Sequence, residues 1–408
     1  MIINKKMIRK AFEYRLYPNK QQEELILKHI GCARWIYNYA LEKKMKAWND
    51  NKINLSRFDI QKDLPLLKRQ EETKWLKEVS AQSLIVSLLN LESAYKKFFK
   101  EKQGFPKFKS KHTSKQNFSI YQYTKVDFEN EIVRLPKITP IKTRFHRKFK
   151  GKIKTVTVKR TPTGKYFISI LVETKDNCKK KKKIKEKTAI GIDLGIKDFV
   201  VLSTGEKISN PKILKSYEEK LVRVQRRLSR KKKGSNNRNK ARIKVAKVYE
   251  KITNIRKDFL HKLSHKLTHE NQVSSLVVED LNVRGMLKNR RLAKNISDCS
   301  WSEFVRQLEY KSEWYGVNLI KIDRFEPTSK LCSMCGSINS NLQLKDRNWI
   351  CDNCGTNHDR DVNAATNIKR IGLKEIIPME RRESTLGENR GNNTHSPNQE
   401  APISGVVH

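Results

Sequence analysis

No stretch of this 408-residue chain stays apolar long enough to cross a bilayer, and its opening, MIINKKMIRKAFEYRLYP, lacks the uninterrupted apolar core of a secretory signal. A membrane protein and an exported one are therefore not expected, and a cytoplasmic place is. Disulfide scaffolding is also short of material. The seven cysteines are an odd number in a chain with no export signal, and Cys32, Cys178 and Cys299 are scattered. Acidic residues are scarce, 43 against 88 Lys and Arg, leaving a formal charge of +45 spread over most of the sequence. A field of that size attracts polyanions, of which nucleic acid is the commonest. No internal repeat is present, so a solenoid is not expected.

The length allows two to four compact units. Residues 8–17, IRKAFEYRLY, alternate apolar and polar as a half-buried strand does, and Pro18 stops them. From 19 to about 100 apolar residues recur at spacings of three and four, the pattern of a helical bundle with basic outer faces. Residues 118–178 return to strands such as NEIVRLP, KIKTVTVKR and KYFISILVET. The expected organisation is a β-barrel-like unit from 1–18 and 118–178 with the bundle 19–117 inserted in it. A lysine-rich linker follows at 179–186. Then come the strands of TAIGIDLGIKDFVVLSTGEKI, basic helices over about 211–270, a buried strand in VSSLVVEDL, a helix in SWSEFVRQLEYKSEWYG and a further strand in VNLIKIDRF. Beyond the remaining cysteines, DVNAATNIKRIGL predicts a last helix, and 376–408 have the composition of a disordered tail.

Two patterns carry chemistry. Cys332-x-x-Cys335 and Cys351-x-x-Cys354 are fifteen residues apart, the spacing of a tetrahedral four-cysteine zinc ribbon over 328–358, with Gly336 and Gly355 where each knuckle bends back. Four thiolates close the site, so this zinc is structural and His358 has no place as a ligand. The second pattern is acidic. Asp193 ends the apolar run AIGID, Glu279 ends SLVVE, and Asp361 opens a helix whose Ala364 and Ala365 permit close packing on a sheet. Carboxylates in such places suit Mg2+ or Mn2+, and metal held there suits phosphodiester hydrolysis. Singly each has a plain alternative: Asp193 a turn former, Glu279 a surface ion pair, Asp361 a helix cap. Pattern alone does not exclude the adjacent Asp280 and Asp359.

The motifs GIDLG, VVEDL and HDRDVNAA, in that order and with a C-x-x-C ribbon before the last, resemble the split RuvC nuclease of transposon-encoded TnpB proteins, relatives of type V CRISPR effectors. YRLYPNKQQ, GCARWIYNYAL, KWLKEVSAQSL and GFPKFKSK extend the resemblance over roughly residues 8–370. Glu326 departs from it, standing where the family usually has an aromatic. The resemblance implies a multidomain α/β protein of a prokaryotic cell, with an RNase H-like (RuvC) domain over 187–327 and 359–375. It further implies Asp193, Glu279 and Asp361 as catalytic acids holding Mg2+ or Mn2+, a guide RNA from the transposon end, and double-stranded target DNA cut beside a short flanking motif. For that motif the bundle residues Trp75, Lys77 and Gln82 are the candidates, Gln82 by pairing with an adenine edge and Trp75 by stacking or by simple packing. Arg360 is a candidate contact to the strand entering beside the ribbon. The rival readings are a catalytically silent RNA-guided binder or repressor, and an accessory transposase, for which no tyrosine nucleophile motif is present.

Overall fold

In the computed structural model, residues 7–174, 179–343 and 345–374 are described. Cys178 and the expected tail 376–408 lie outside them. The chain forms two compact units: one takes the described residues up to Lys179 with Leu214–Lys257, the other Lys180–Ile213 with the chain from Asp258 onward.

The first unit is built on a seven-stranded antiparallel half-barrel. Its strands are β1 (Ile8–Tyr17), β2 (Asn117–Ile120), β3 (Lys125–Asp127), β4 (Ile132–Leu135), β5 (Ile138–Arg144), β6 (Lys152–Arg160) and β7 (Tyr166–Thr174), in the order β2-β6-β7-β1-β5-β4-β3. The first strand is thus central, paired with β7 from Ile8 opposite Thr174 to Leu16 opposite Tyr166. The alternation legible in the sequence puts Tyr14 and Leu16 into a core with Val133, Ile141, Val156, Ile168 and Ile170. β5 is masked in the sequence by Pro140, which sits inside it.

Between β1 and β2 run α1 (Lys20–Asn51), α2 (Arg57–Gln61), α3 (Asp63–Arg69), a 3-10 stretch (Glu71–Glu78) and α4 (Ala81–Glu101). Asn19 starts α1 with a capping box: its side chain accepts from the Gln22 amide, and Gln22 accepts in return from the Asn19 amide. Ile36, Leu41, Leu76, Leu84 and Leu91 fill the bundle core. Three more helices follow the second unit's first strands: α5 (Ile213–Ser216), α6 (Glu218–Ser229) and α7 (Asn236–His265). The sequence reading runs 187–327 as one domain, whereas 214–257 fall in the first unit. One physical reason is Glu250, which takes Lys165 Nζ at 3.1 Å and the Thr163 hydroxyl at 3.3 Å, both from the turn between β6 and β7.

The second unit carries β8 (Ala189–Asp193), β9 (Asp198–Leu202), β10 (Lys207–Ser209), β11 (Ser275–Glu279) and β12 (Asn318–Ile322) in the order β10-β9-β8-β11-β12. β8, β9 and β10 are joined antiparallel, and β8, β11 and β12 are parallel. This is the RNase H-like sheet. α8 (Val283–Met286), α9 (Ala293–Cys299) and α10 (Trp301–Tyr315) come between β11 and β12. The ribbon strands β13 (Asn348–Ile350) and β14 (Asn357–Asp359) lead into α11 (Arg360–Lys374). One face of the sheet (Ile190, Ile192, Leu276, Val278) packs with Phe304 and Leu308 of α10, and the other (Ala189, Val277, Ile320) with Ile368 and Leu373 of α11. The lysine run expected as a linker is tied to this unit. Lys181 and Lys182 donate to the Val317 and Val273 carbonyls at 2.6 and 2.7 Å, where β12 and β11 begin.

Candidate active site

β8 and β11 are parallel neighbours in register, Ile192 opposite Val278, so the next residues, Asp193 and Glu279, leave the sheet side by side at the strands' carboxyl ends. Side chains alternate along a strand, so Asp193 shares a face with Ala189 and Gly191, and Glu279 with Val277. That is the face α11 covers. Open parallel sheets bind their ligands at this end.

Small residues let α11 come close. A methyl group at Gly191 would overlap the Ala365 carbonyl oxygen and stand 2.8 Å from the Lys369 amide, and one at Gly372 would collide with Val277. Ala364 and Ala365 are fully buried in the same contact. With its backbone seated on β8, the helix presents Asp361 in its first turn, near the ends of the strands.

Electrostatics separates these acids from their neighbours. Burial, then the nearby charges of Glu279 and Asp361, push the Asp193 carboxyl up to about 7. Burial also raises Glu279, against the 2.6 Å hydrogen bond it accepts from the Thr328 hydroxyl. Asp361 has the Arg347 guanidinium at 3.4 Å from both its oxygens. By contrast Asp280 is held by Arg324 at 2.6 Å, and both groups are exposed. Asp359 accepts from the Val362 amide at 3.0 Å as a cap of α11 and pairs with Lys207. Its burial works to raise it, but Lys207 and the amides hold it below the usual carboxylate range. Lys207 and Thr328 carried no motif that would have marked them. Gly191 could have been found from its place two residues before Asp193 on the same strand face.

The four ribbon cysteines bring their sulfurs within 4.8 Å of one another. Cys332 and Cys354 are 3.7 Å apart and Cys335 and Cys351 3.6 Å, close to the ~3.8 Å edge of a tetrahedron with ~2.3 Å metal–sulfur bonds. The set therefore fits zinc. Each knuckle closes alike: the Gly336 amide donates to the Cys332 carbonyl and the Gly355 amide to that of Cys351, both glycines at positive φ. His358, expected to have no ligand role, packs tilted against Trp349 and places Nε2 3.1 Å from the Cys332 sulfur. The ribbon is also bound to α11. Asn363 accepts from the Ser333 amide and donates to the Leu331 carbonyl, Asn367 donates to Thr328 and Leu331, and Arg370 donates to Ser333.

The remaining candidates are placed as follows. Arg360 donates to the Gln343 carbonyl at 2.9 Å. Trp75 packs edge-on to Trp35 and donates to the Glu72 carbonyl, and the two tryptophans line a cleft of about 390 Å3 with Lys28 and Arg34. Lys77 is exposed, and Gln82 donates to Gln122 at 3.3 Å.

Over 90% of its length the chain is 43% identical to a Streptomyces pristinaespiralis protein named "Putative RNA-guided DNA endonuclease", and it covers 90% of that protein. The chain belongs to the TnpB family. A relative of the same designation in Escherichia coli K12, InsQ, is 32% identical over 89% of this chain and 92% of its own. Within this TnpB-family chain, residues 168–290 match the family described as a probable transposase and 301–368 the Cas12f1-like TNB domain. Residues 7–52 match a helix-turn-helix description, and fold here as β1 and α1. Among solved structures, a Cas12f1 chain in a complex with single-guide RNA and target DNA superposes with a TM-score of 0.55 at 16% identity, over 89% of this chain and 99% of that one. The chain therefore shares the fold of that Cas12f1 chain. No described helix is long and apolar enough to cross a membrane.

Proposed function

We propose that this chain is an RNA-guided DNA endonuclease that hydrolyses phosphodiester bonds at Asp193, Glu279 and Asp361, with a divalent cation, Mg2+ or Mn2+. The observation that carries the reading is the convergence of Asp193 and Glu279, at the ends of parallel strands, on the face α11 covers with Asp361 in its first turn. Its relatives' names agree with it.

The fit to a cation rests on the donors. Three carboxylates held near one another, one of them pushed up to about 7, form an excess of negative charge on oxygen ligands that a hard divalent ion offsets. Bound there, such an ion supplies electrophilic assistance to the scissile phosphate and to an attacking water. The chain's own residues do the rest. Thr328 fixes the Glu279 carboxylate, Asp359 and Lys207 anchor the start of α11, and Arg347 and Arg360 offer guanidinium groups to phosphates arriving over the ribbon. Basic surfaces take the guide RNA from the transposon end, pairing reads the target, and Trp75, Lys77 and Gln82 read a flanking motif.

The test is to purify the chain with its co-expressed RNA, sequence that RNA, and offer a plasmid carrying the matching sequence with Mg2+. Cleavage that needs the match and stops in EDTA supports the reading. A protein that protects the matched site while cutting nothing would be a silent binder, and one that retains no RNA at low salt would not be guided.

A further inference from the structure

Each sulfur of the ribbon meets a polar side chain, and one of these side chains is unlike the rest. Ser337 Oγ lies 3.0 Å from the Cys335 sulfur and 3.1 Å from that of Cys351, and Thr356 Oγ1 lies 3.2 Å from that of Cys354. Those hydroxyls come from residues just after the knuckles, and Cys335 and Cys354 are exposed. Cys332 is fully buried, and its partner is the imidazole of His358, with Nε2 at 3.1 Å and the residue itself 6% exposed. A buried thiolate needs donors, and a sulfur that holds metal has no proton of its own to give, so the proton in this contact belongs to Nε2. His358 is not part of a knuckle. It lies in β14, opposite Trp349 of β13 and three residues before Asp361.

From this geometry we infer that His358 is a positioning residue for cleavage: its Nε2–H donates to the metal-bound Cys332 thiolate and so ties a filled ribbon to the placement of Asp361. The step to Asp361 rests on the endonuclease reading; the bond to the thiolate does not. Two connections run from the ribbon to α11. The first knuckle is gripped by the helix's own side chains, Asn363 and Asn367 on Leu331 and Arg370 on Ser333. The other connection runs along the strand pair. There Asn348 stands opposite Asp359, the Arg360 amide donates to the Arg347 carbonyl at 2.8 Å, and the Arg347 guanidinium meets Asp361. His358 joins the two, because it holds a cysteine of the first knuckle from the strand that ends at the helix. A hydroxyl turns to suit its acceptor, whereas a ring N–H has one direction, so this bond fixes where β14 stands. To a thiolate it is charge-assisted; without metal the sulfur is a weak acceptor and the hold on β14 slackens.

The experiment separates the donor from the ring. His358→Gln keeps an N–H donor and loses the ring that packs against Trp349, whereas His358→Phe keeps a ring and loses the donor. In the RNA-loaded full chain, competition with a chromophoric chelator should show zinc held about ten- to a hundredfold more weakly in His358→Phe and close to the wild type in His358→Gln. With cobalt in place of zinc, the thiolate-to-metal absorption band of His358→Phe should move to longer wavelength, since a sulfur relieved of a hydrogen bond gives up electron density more readily. Wild-type affinity with an unmoved band in His358→Phe, or zinc lost from His358→Gln and kept by His358→Phe, would reduce His358 to packing and overturn the bond. Filled with zinc and freed of the excess, His358→Phe should still cut a matched duplex about tenfold or more slowly while protecting it in footprinting, and His358→Gln should restore the rate. If the filled His358→Phe cuts as fast as the wild type, the link to Asp361 is wrong and the endonuclease reading stands. If the wild type cuts no duplex, that reading fails and the role in cleavage with it, while the zinc and cobalt results still decide the bond.

Discussion

Asp193, Glu279 and Asp361 differ from the acids beside them in what already holds their charge, and that difference is measurable one side chain at a time. Asp193→Ala, Glu279→Ala or Asp361→Ala should each abolish cleavage of a matched plasmid, because two remaining acids do not fix a cation for in-line displacement, while footprinting should show the target still protected. Asp280→Ala should cut normally, its carboxylate being paired on the surface with Arg324. Asp359→Ala should also cut, with about 1 kcal/mol less stability from the lost cap of α11. A dead Asp359→Ala beside an active Asp361→Ala would reverse the two assignments. A different residue-scale test concerns Lys311, 6% exposed, whose ammonium donates to the His261 carbonyl and the Ser264 hydroxyl at 2.7 Å. Burial lowers its pKa from 10.5 to about 8. Below pH 8 folded and unfolded chains both carry the charge and the full cost of burying it is present; from 8 to 10.5 the folded lysine gives up its proton and the cost fades. Measured by denaturant midpoints, the stability of wild type relative to Lys311→Met should therefore improve by about 3 kcal/mol between about pH 7 and 10.5.

At the scale of elements, the seating of α11 on β8 is what sets the distance from Asp361 to the strand ends. Gly191→Ala inserts a methyl group into the Ala365 backbone, so it should lower the melting temperature and reduce cleavage at least tenfold, whereas the same change at Gly205, at positive φ but with nothing within 4 Å, should cost backbone strain and leave cleavage intact. The ribbon acts on the same helix through Asn363, Asn367 and Arg370. Elemental analysis should find about one zinc per chain, and Cys351→Ser should loosen 331–358 and weaken cleavage more than RNA binding. These elements were unequally legible in the sequence. A carboxylate closing an apolar run, as in AIGID and SLVVE, is visible because the run fixes a buried strand and the acid breaks its rule. The thiols are visible because their spacing is local. The partners that distinguish Asp361 from Asp359 were not: Lys207 reaches Asp359 across 152 positions, and Arg347 meets Asp361 only once the ribbon has folded. The tertiary placement of 214–257 was hidden for the same reason, since its contact to Lys165 links residues 85 positions apart.

For the whole molecule, a formal charge of +45 predicts that the protein leaves the cell with RNA bound and that this affinity falls steeply with salt, by about a thousandfold or more between 50 and 200 mM. A filter-binding slope near zero would contradict it. Other behaviour follows from the order in which the chain is made. Asp193, Glu279 and Asp361 are 168 residues apart from first to last, and the ribbon cysteines all precede the third. At roughly 5–20 residues per second, a ribosome that has released Asp193 needs on the order of ten to thirty seconds more to release Asp361. For about the first half of that interval the emerging protein has one of its acids, for the second half two, and the third arrives only with α11. A nascent chain can therefore gather its transcript, and take up zinc, before it is able to harm the chromosome.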